Sequence, residues 1–266
     1  MKPDESTSGT VLRAEAGDVD RLPQAASAHA IALMAEPRAL APRQLEERRL
    51  IHREASSREQ SDTFRELRTR LLGMGGTGNF ITLVVAVSPR SGASFVARNL
   101  AAAFAFDEAR TSLLIDCNLR YPEQHHALGV DPANGGLIDF LEHPAQGIAS
   151  KIYATGMPRL RLIPVGDARE ASGEYFSSFR MHALLDSMRH RYPDRYLFLD
   201  GPTIKGSPDA RIHDLYECYP DFHIDVDYEQ TQLHEVLARQ GRDRLRICRT
   251  VRNNQKQKFK NRSPGR

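Results

Sequence analysis

The chain has 266 residues, 40% of them hydrophobic and 27% charged, and a formal net charge of +3. That length suits one large core with extensions, and no apolar run approaches the roughly 18 residues of a membrane span. The acidic N-terminus MKPDESTSGT lacks an apolar signal core, so a cytoplasmic location is expected. Cys117, Cys218 and Cys248 show no paired or metal-ligand spacing, which fits a reducing compartment.

Residues 1–45 are rich in Ala, Pro, Ser and acids without a stable period, and are expected to be mostly disordered. Residues 46–78 read as a charged helical extension, with apolar positions at Leu50, Ile51, Phe64, Leu67, Leu71 and Leu72. Ser61 or Asp62 is the expected cap of a helix running to Leu72, which Gly73, Gly75, Gly76 and Gly78 then end.

Residues 79–253 carry the pattern of one domain. Ile81–Val87 is almost continuously apolar, as in a strand covered on both faces. A turn at Ser88–Ser94 leads into a helix over Ser94–Phe106, whose Val96, Leu100, Ala103 and Phe104 share one face. Thr111–Asp116 is a second strand, and Gly135-Gly136 opens a short helix over Leu137–Leu141. Leu160–Gly166 is a third strand, whose Pro164 favours an end or an edge.

Further on, Phe179–His190 reads as a helix, Tyr196–Asp200 as a fourth strand and Phe222–Val226 as a fifth. Gln232–Arg239 reads as a helix, and Leu245–Val251 as a last strand made poor by Arg246 and Arg249. Strands alternating with helices predict an α/β fold: an open, mostly parallel sheet with helices on both faces. Residues 254–266 form a basic tail. From Arg239 onward the chain holds eleven Lys or Arg and one acid, Asp243. This end reads as a solvated tail, or as a surface for anionic lipid or an acidic partner. It matches no nucleic-acid-binding module.

Strand, tight turn and helix at 81–106 form the architecture that aims backbone N–H groups at a phosphate. The full phosphate loop reads G-x-x-x-x-G-K-[ST], and its lysine reaches the β- and γ-phosphates. Here only Gly92 remains and Ala93 stands where the lysine belongs. Arg90, Ser91, Gly92, Ala93 and Ser94 are the candidate phosphate-binding residues. In a parallel sheet Asp116 and Asp200 end their strands on the same rim, so Ser94, Asp200 and Asp116 are candidate magnesium ligands. Asp116 is also the candidate catalytic group, orienting water or a hydroxyl.

Arg90 or Arg98 could supply the charge missing at Ala93, although a guanidinium fork does not replace a lysine point charge. Plainer roles stand beside these: Ser94 as an N-cap, Gly92 as a turn former, Asp116 and Asp200 as turn closers, Cys117 as core filler. His125, His126 and His143 have no metal-ligand spacing and read as surface residues.

Taken together, these residues resemble the bacterial tyrosine kinases of exopolysaccharide synthesis, within the MinD/ParA-like group of P-loop ATPases. Gly92-Ala93-Ser94 and Asn99-Leu100-Ala101 stand at the family's spacing, as does Ile115-Asp116-Cys117-Asn118-Leu119-Arg120-Tyr121-Pro122. Asp200-Gly201-Pro202-Thr203 and Gly135-Gly136-Leu137 match later segments. Asp62, Arg65 and Arg68 resemble the family's Glu-x-x-Arg-x-x-Arg oligomerisation helix.

The resemblance implies a P-loop NTPase-like three-layer sandwich and ATP with magnesium as cofactors. It also implies a homo- or hetero-oligomer through the Asp62–Arg68 helix, an inner-membrane chain-length regulator as partner, and a peripheral place at the inner membrane. Ala93, Asn118 in place of the second acid, and the lack of a tyrosine after Tyr228 depart from the pattern. They imply an accessory or regulatory protein without efficient kinase activity. The alternative is an ATP-dependent tyrosine kinase or ATPase that controls polysaccharide chain length.

Overall fold

The computed structural model describes residues 39–54, 56, 58–167, 175–204, 220–226 and 245–249. The expected helix over Gln232–Arg239, the basic tail 254–266 and residues 1–38 lie outside the described residues. The strands are β1 (Ile81–Ala86), β2 (Thr111–Asp116), β3 (Tyr153–Ala154), β4 (Leu160–Ile163), β5 (Arg195–Asp200), β6 (Phe222–Val226) and β7 (Leu245–Arg249). The helices longer than one turn are α1 (Pro42–Glu47), α2 (Arg58–Gly75), α3 (Ala93–Ala105), α4 (Gln124–Leu128), α5 (Leu137–Glu142) and α6 (Phe179–Arg191).

All seven strands join one sheet in the order β3-β4-β2-β5-β1-β6-β7. The five central strands are mutually parallel, and β3 and β7 close the two edges antiparallel. Alternation along each central strand divides the core in two, because successive side chains point to opposite faces. Val84, Leu114, Tyr196 and Phe198 pack under α1, α2 and α3. Leu83, Val85, Leu113, Ile115, Leu197 and Leu199 pack under α5 and α6. A sheet buried on both faces favours apolar residues at successive positions, and this is why β1, β2 and β5 read as mostly apolar runs, with Thr82, Thr111, Ser112 and Arg195 as their buried polar members besides the terminal acids. The result is the expected three-layer sandwich.

Several boundaries differ from expectation. Helix α2 begins at Arg58, a turn before Ser61. Ser61 is buried and donates its hydroxyl to the His52 carbonyl, while Asp62 pairs with Arg65 at 2.9 Å. Gly73 and Gly75 continue the helix, and the left-handed Gly76 (φ 77°) stops it. Strand β4 ends at Ile163, just before Pro164, but it is interior because β3 pairs outside it. Two residues of β3, the five of α4 and the six of α1 give too short a period to be legible.

Residues 39–52 form a strap across the α3 face. The Leu40 N–H donates to the Gly156 carbonyl at 2.8 Å, and Arg48 donates to the carbonyls of Leu128 and Thr155. Leu45, Leu50 and Ile51 are buried in the core. Asn99 pins the strap: its Oδ1 accepts from the Ile51 N–H at 2.8 Å, and its Nδ2 donates to the carbonyls of Arg49 and Phe95. The other end of α3 is closed by arginines, since Arg68 donates to Ala103 O, Arg159 to Ala105 O and Arg53 to Phe106 O. Cations belong there, where the last carbonyls lack partners and the helix dipole is negative.

Asn99→Ala strands the Ile51 N–H and the Arg49 carbonyl. We expect a loss of roughly 2–4 kcal/mol, read as a lower urea midpoint with unchanged slope. A change below about 0.5 kcal/mol would show that the strap is held by other contacts.

Candidate active site

Three strand ends meet at one rim. Asp116 and Asp200 are direct Cα partners in the β2–β5 ladder, and the Gly201 N–H donates to the Val84 carbonyl of β1 at 2.8 Å. The ladder itself therefore sets the two carboxylates side by side. Both are fully buried.

The β1–α3 turn comes to the same rim. Its Ser91 N–H closes on the Ser88 carbonyl at 3.3 Å, and two left-handed residues, Arg90 (φ 64°) and Gly92 (φ 85°), redirect the chain into α3. Gly92 is the N-cap and offers no side chain to the first-turn N–H groups. Those donors lack intrahelical acceptors by helix geometry, and they meet the positive end of the helix dipole. The Ser91 hydroxyl is buried without a partner among the described residues. Such a turn suits an anion.

The predicted residues take distinct places. Ser94 is half-buried, and its side chain hydrogen-bonds Asp200. Ala93 is 5% exposed and has no group to offer a phosphate. Arg90 is exposed. The cation beside the acids is Arg98, itself 5% exposed, one turn further along α3. Asp116 accepts the N–H groups of Asn118 and Gln124, each at 3.1 Å, so it also organises the loop that follows β2. Cys117 is core filler, and burial raises its thiol pKa. His125 and His126 stack 3.9 Å apart, and no group of three metal-ligating side chains occurs among the described residues.

Sequence reasoning missed Gln124. This residue is fully buried and its Nε2 donates to Asp200 Oδ2 at 2.6 Å and to the Ser94 carbonyl at 3.0 Å. Its Oε1 accepts from Arg98 Nη1 at 3.2 Å. Its one sequence signal is its place two residues beyond Pro122, at the end of the second acid motif.

Burial and the neighbouring Asp200 raise the Asp116 pKa well above the usual range. Burial raises that of Asp200 to about 7, against the hydrogen bonds from Gln124 and Ser94. Like charges on adjacent strands without full solvation retain a proton. The donor set fits magnesium: Ser94 hydroxyl, two carboxylates, and an Asp200 Oδ1 buried with no partner among the described residues. The turn fits phosphate oxygens through backbone N–H groups alone.

The raised pKa of Asp200 fixes the sign of a pH effect. Its contribution to stability is complete below about pH 4 and is lost as pH rises through about 7. Asp200→Asn keeps the shape without the charge. In metal-free buffer the wild type should lose stability relative to this variant between pH 4 and pH 8, by on the order of 3 kcal/mol. Parallel thermal-melt profiles for the two proteins would rule out the buried charge as their source.

The comparisons bear on the fold that carries this site. No family model matches the chain. It is 34% identical over 152 residues to the tyrosine-protein kinase wzc of Salmonella typhimurium, which covers 57% of this chain and 20% of that protein. It is 26% identical over 176 residues to the tyrosine-protein kinase ptk of Acinetobacter johnsonii, covering 66% and 23%. The matched region thus spans about a fifth of these curated relatives. Among solved structures, the kinase domain of VpsO superposes with a TM-score of 0.54 at 25% identity, covering 64% of this chain and 80% of that one. The kinase domain of the Escherichia coli tyrosine kinase ETK superposes at 0.56 and 22% identity, covering 66% and 67%. This domain is thus similar in sequence and in fold to the kinase domains of bacterial tyrosine kinases.

Proposed function

We propose that the domain binds a magnesium–nucleotide complex at this rim and serves exopolysaccharide biosynthesis as an accessory or regulatory member, with slow phosphoryl transfer. One observation carries this reading. An open helix N-terminus and two convergent carboxylates are present, while Ala93 fills the position from which a lysine would reach the phosphates. Binding draws on the N–H groups and the metal ligands. Transfer needs extra positive charge on the transferring group, which Ala93 cannot supply.

On this reading Ser94 and Asp200 hold the ion, and the Gly92–Ser94 backbone faces the phosphate oxygens. Asp116 accepts two N–H groups and sits one strand away, so it orients a hydroxyl or water. Magnesium held there would supply positive charge to the phosphate oxygens.

The relatives' names favour a second reading, an active tyrosine kinase or ATPase. It would require another cation to do the lysine's work, and Arg98, itself 5% exposed, stands one turn beyond Ser94 on α3.

Partners follow from α2. Phe64, Leu67 and Leu71 are buried against this chain, and Arg68 is turned onto Ala103 O. Asp62 and Glu66 are exposed and Arg65 is partly so, which leaves them to meet a second subunit or a membrane chain-length regulator at the inner face of the membrane. No helix among the described residues is long and apolar enough to cross a membrane.

Titration with a fluorescent ATP analogue and magnesium tests the reading, alongside phosphate release. Wild type should bind and turn over slowly. Ser94→Ala and Asp200→Ala should each weaken binding about tenfold or more, and Ala93→Lys should speed phosphate release. Absent binding, or binding untouched by both alanine substitutions, sinks the site. Brisk wild-type turnover that Asp116→Ala abolishes would favour the kinase or ATPase reading.

A further inference from the structure

Gln124 uses every polar atom of its side chain inside the site. Its two amide protons go to Asp200 Oδ2 and to the Ser94 carbonyl, and its oxygen receives Arg98. Turned over, the amide would face oxygen with oxygen at Asp200 and nitrogen with nitrogen at Arg98, so charge fixes its orientation. The Ser94 hydroxyl reaches the same carboxylate. The amide NH₂ therefore lies against the two residues that this rim offers to a divalent ion. Beside it, Asp200 Oδ1 is buried and has no partner among the described residues.

We propose that Gln124 is a built-in cation mimic: its amide holds the acid pair in the metal-free chain and must swing out before a divalent ion can seat. An N–H donor and a metal ion compete for the same carboxylate lone pairs, and a bond of 2.6 Å to an acid is among the stronger ones. The backbone need not move, because the Gln124 N–H stays on Asp116 Oδ2 while the side chain rotates. Rotation also releases Arg98 from its acceptor, and Arg98 has Glu123 4.0 Å away. Metal loading is thereby coupled to a rearrangement of the one buried guanidinium described beside the acids. This gate rests on the magnesium–nucleotide reading and adds the residue that controls it.

The test uses the full chain and Mn²⁺ alone as the probe, followed by electron paramagnetic resonance or calorimetry. Gln124→Ala removes the amide. Gln124→Asn keeps an amide too short to reach Asp200, and serves if the alanine variant does not fold. Both should bind Mn²⁺ about tenfold tighter than wild type, the margin of one charge-assisted hydrogen bond. The gain should vanish when Asp200→Asn is added.

Equal or weaker Mn²⁺ binding by folded variants overturns the gate. A parallel titration with a magnesium–ATP analogue separates the two ideas. If every chain binds nucleotide but Mn²⁺ affinity ignores position 124, the gate falls and the nucleotide reading stands. If the variants gain Mn²⁺ while no chain binds nucleotide, the gate stands and the nucleotide reading falls. Failure of both titrations removes both.

Discussion

Two carboxylates cannot lie side by side in a dry interior unless something carries or shares their charge. That constraint shapes this molecule. The β2–β5 register puts Asp116 opposite Asp200, and burial of both sheet faces denies them water. Around them stand the donors that make the arrangement tolerable: two backbone N–H groups on Asp116, the Gln124 amide and Ser94 on Asp200, and Arg98 behind Gln124. Burial still raises the pKa of both acids. Such a cluster gives little net stability by itself, and buried acids of raised pKa mark a candidate functional site.

Helix α3 links that cluster to the rest of the chain. Its first turn faces the rim, its middle holds the N-terminal strap through Asn99, and its last carbonyls take Arg53, Arg68 and Arg159. Residues 39–52 thus pack as part of the domain. The Asn-Leu-Ala segment of the sequence gains a physical account from this: Asn99 joins strap to helix, and Leu100 and Ala101 bury in the core. Helix α2 docks on the same helix through Phe64, whose ring lies 6.0 Å from that of Phe95.

Much of this was legible because burial on both faces leaves a plain mark. β1, β2 and β5 appear as apolar runs, and Asp116 and Asp200 stand out as polar residues ending such runs. The period of Val96, Leu100 and Phe104 gave α3 to within a residue at each end. Elements too short for a period, α1, α4 and β3, left no such mark. Ser61 reads as a cap because serine so often is one, yet tertiary contact with His52 O claimed its hydroxyl. Gln124 was hidden for another reason. A glutamine between charged and histidine neighbours looks solvated, and only the fold brings it beneath two acids eight and seventy-six residues away.

The position of Arg98 bears on what the site does with its charge. A lysine at position 93 would extend its ammonium from the first turn toward a bound phosphate. A guanidinium one turn deeper, 5% exposed and bonded to Gln124, addresses the carboxylates instead. Burial lowers its pKa, while Glu123, Asp200 and Asp116 oppose that shift. The cation described beside the acid pair is thus a buried one. There it favours ionised acids, which suits the proposed metal seat. On the proposed function, a site arranged in this way would hold a metal–phosphate complex more readily than it would cleave it.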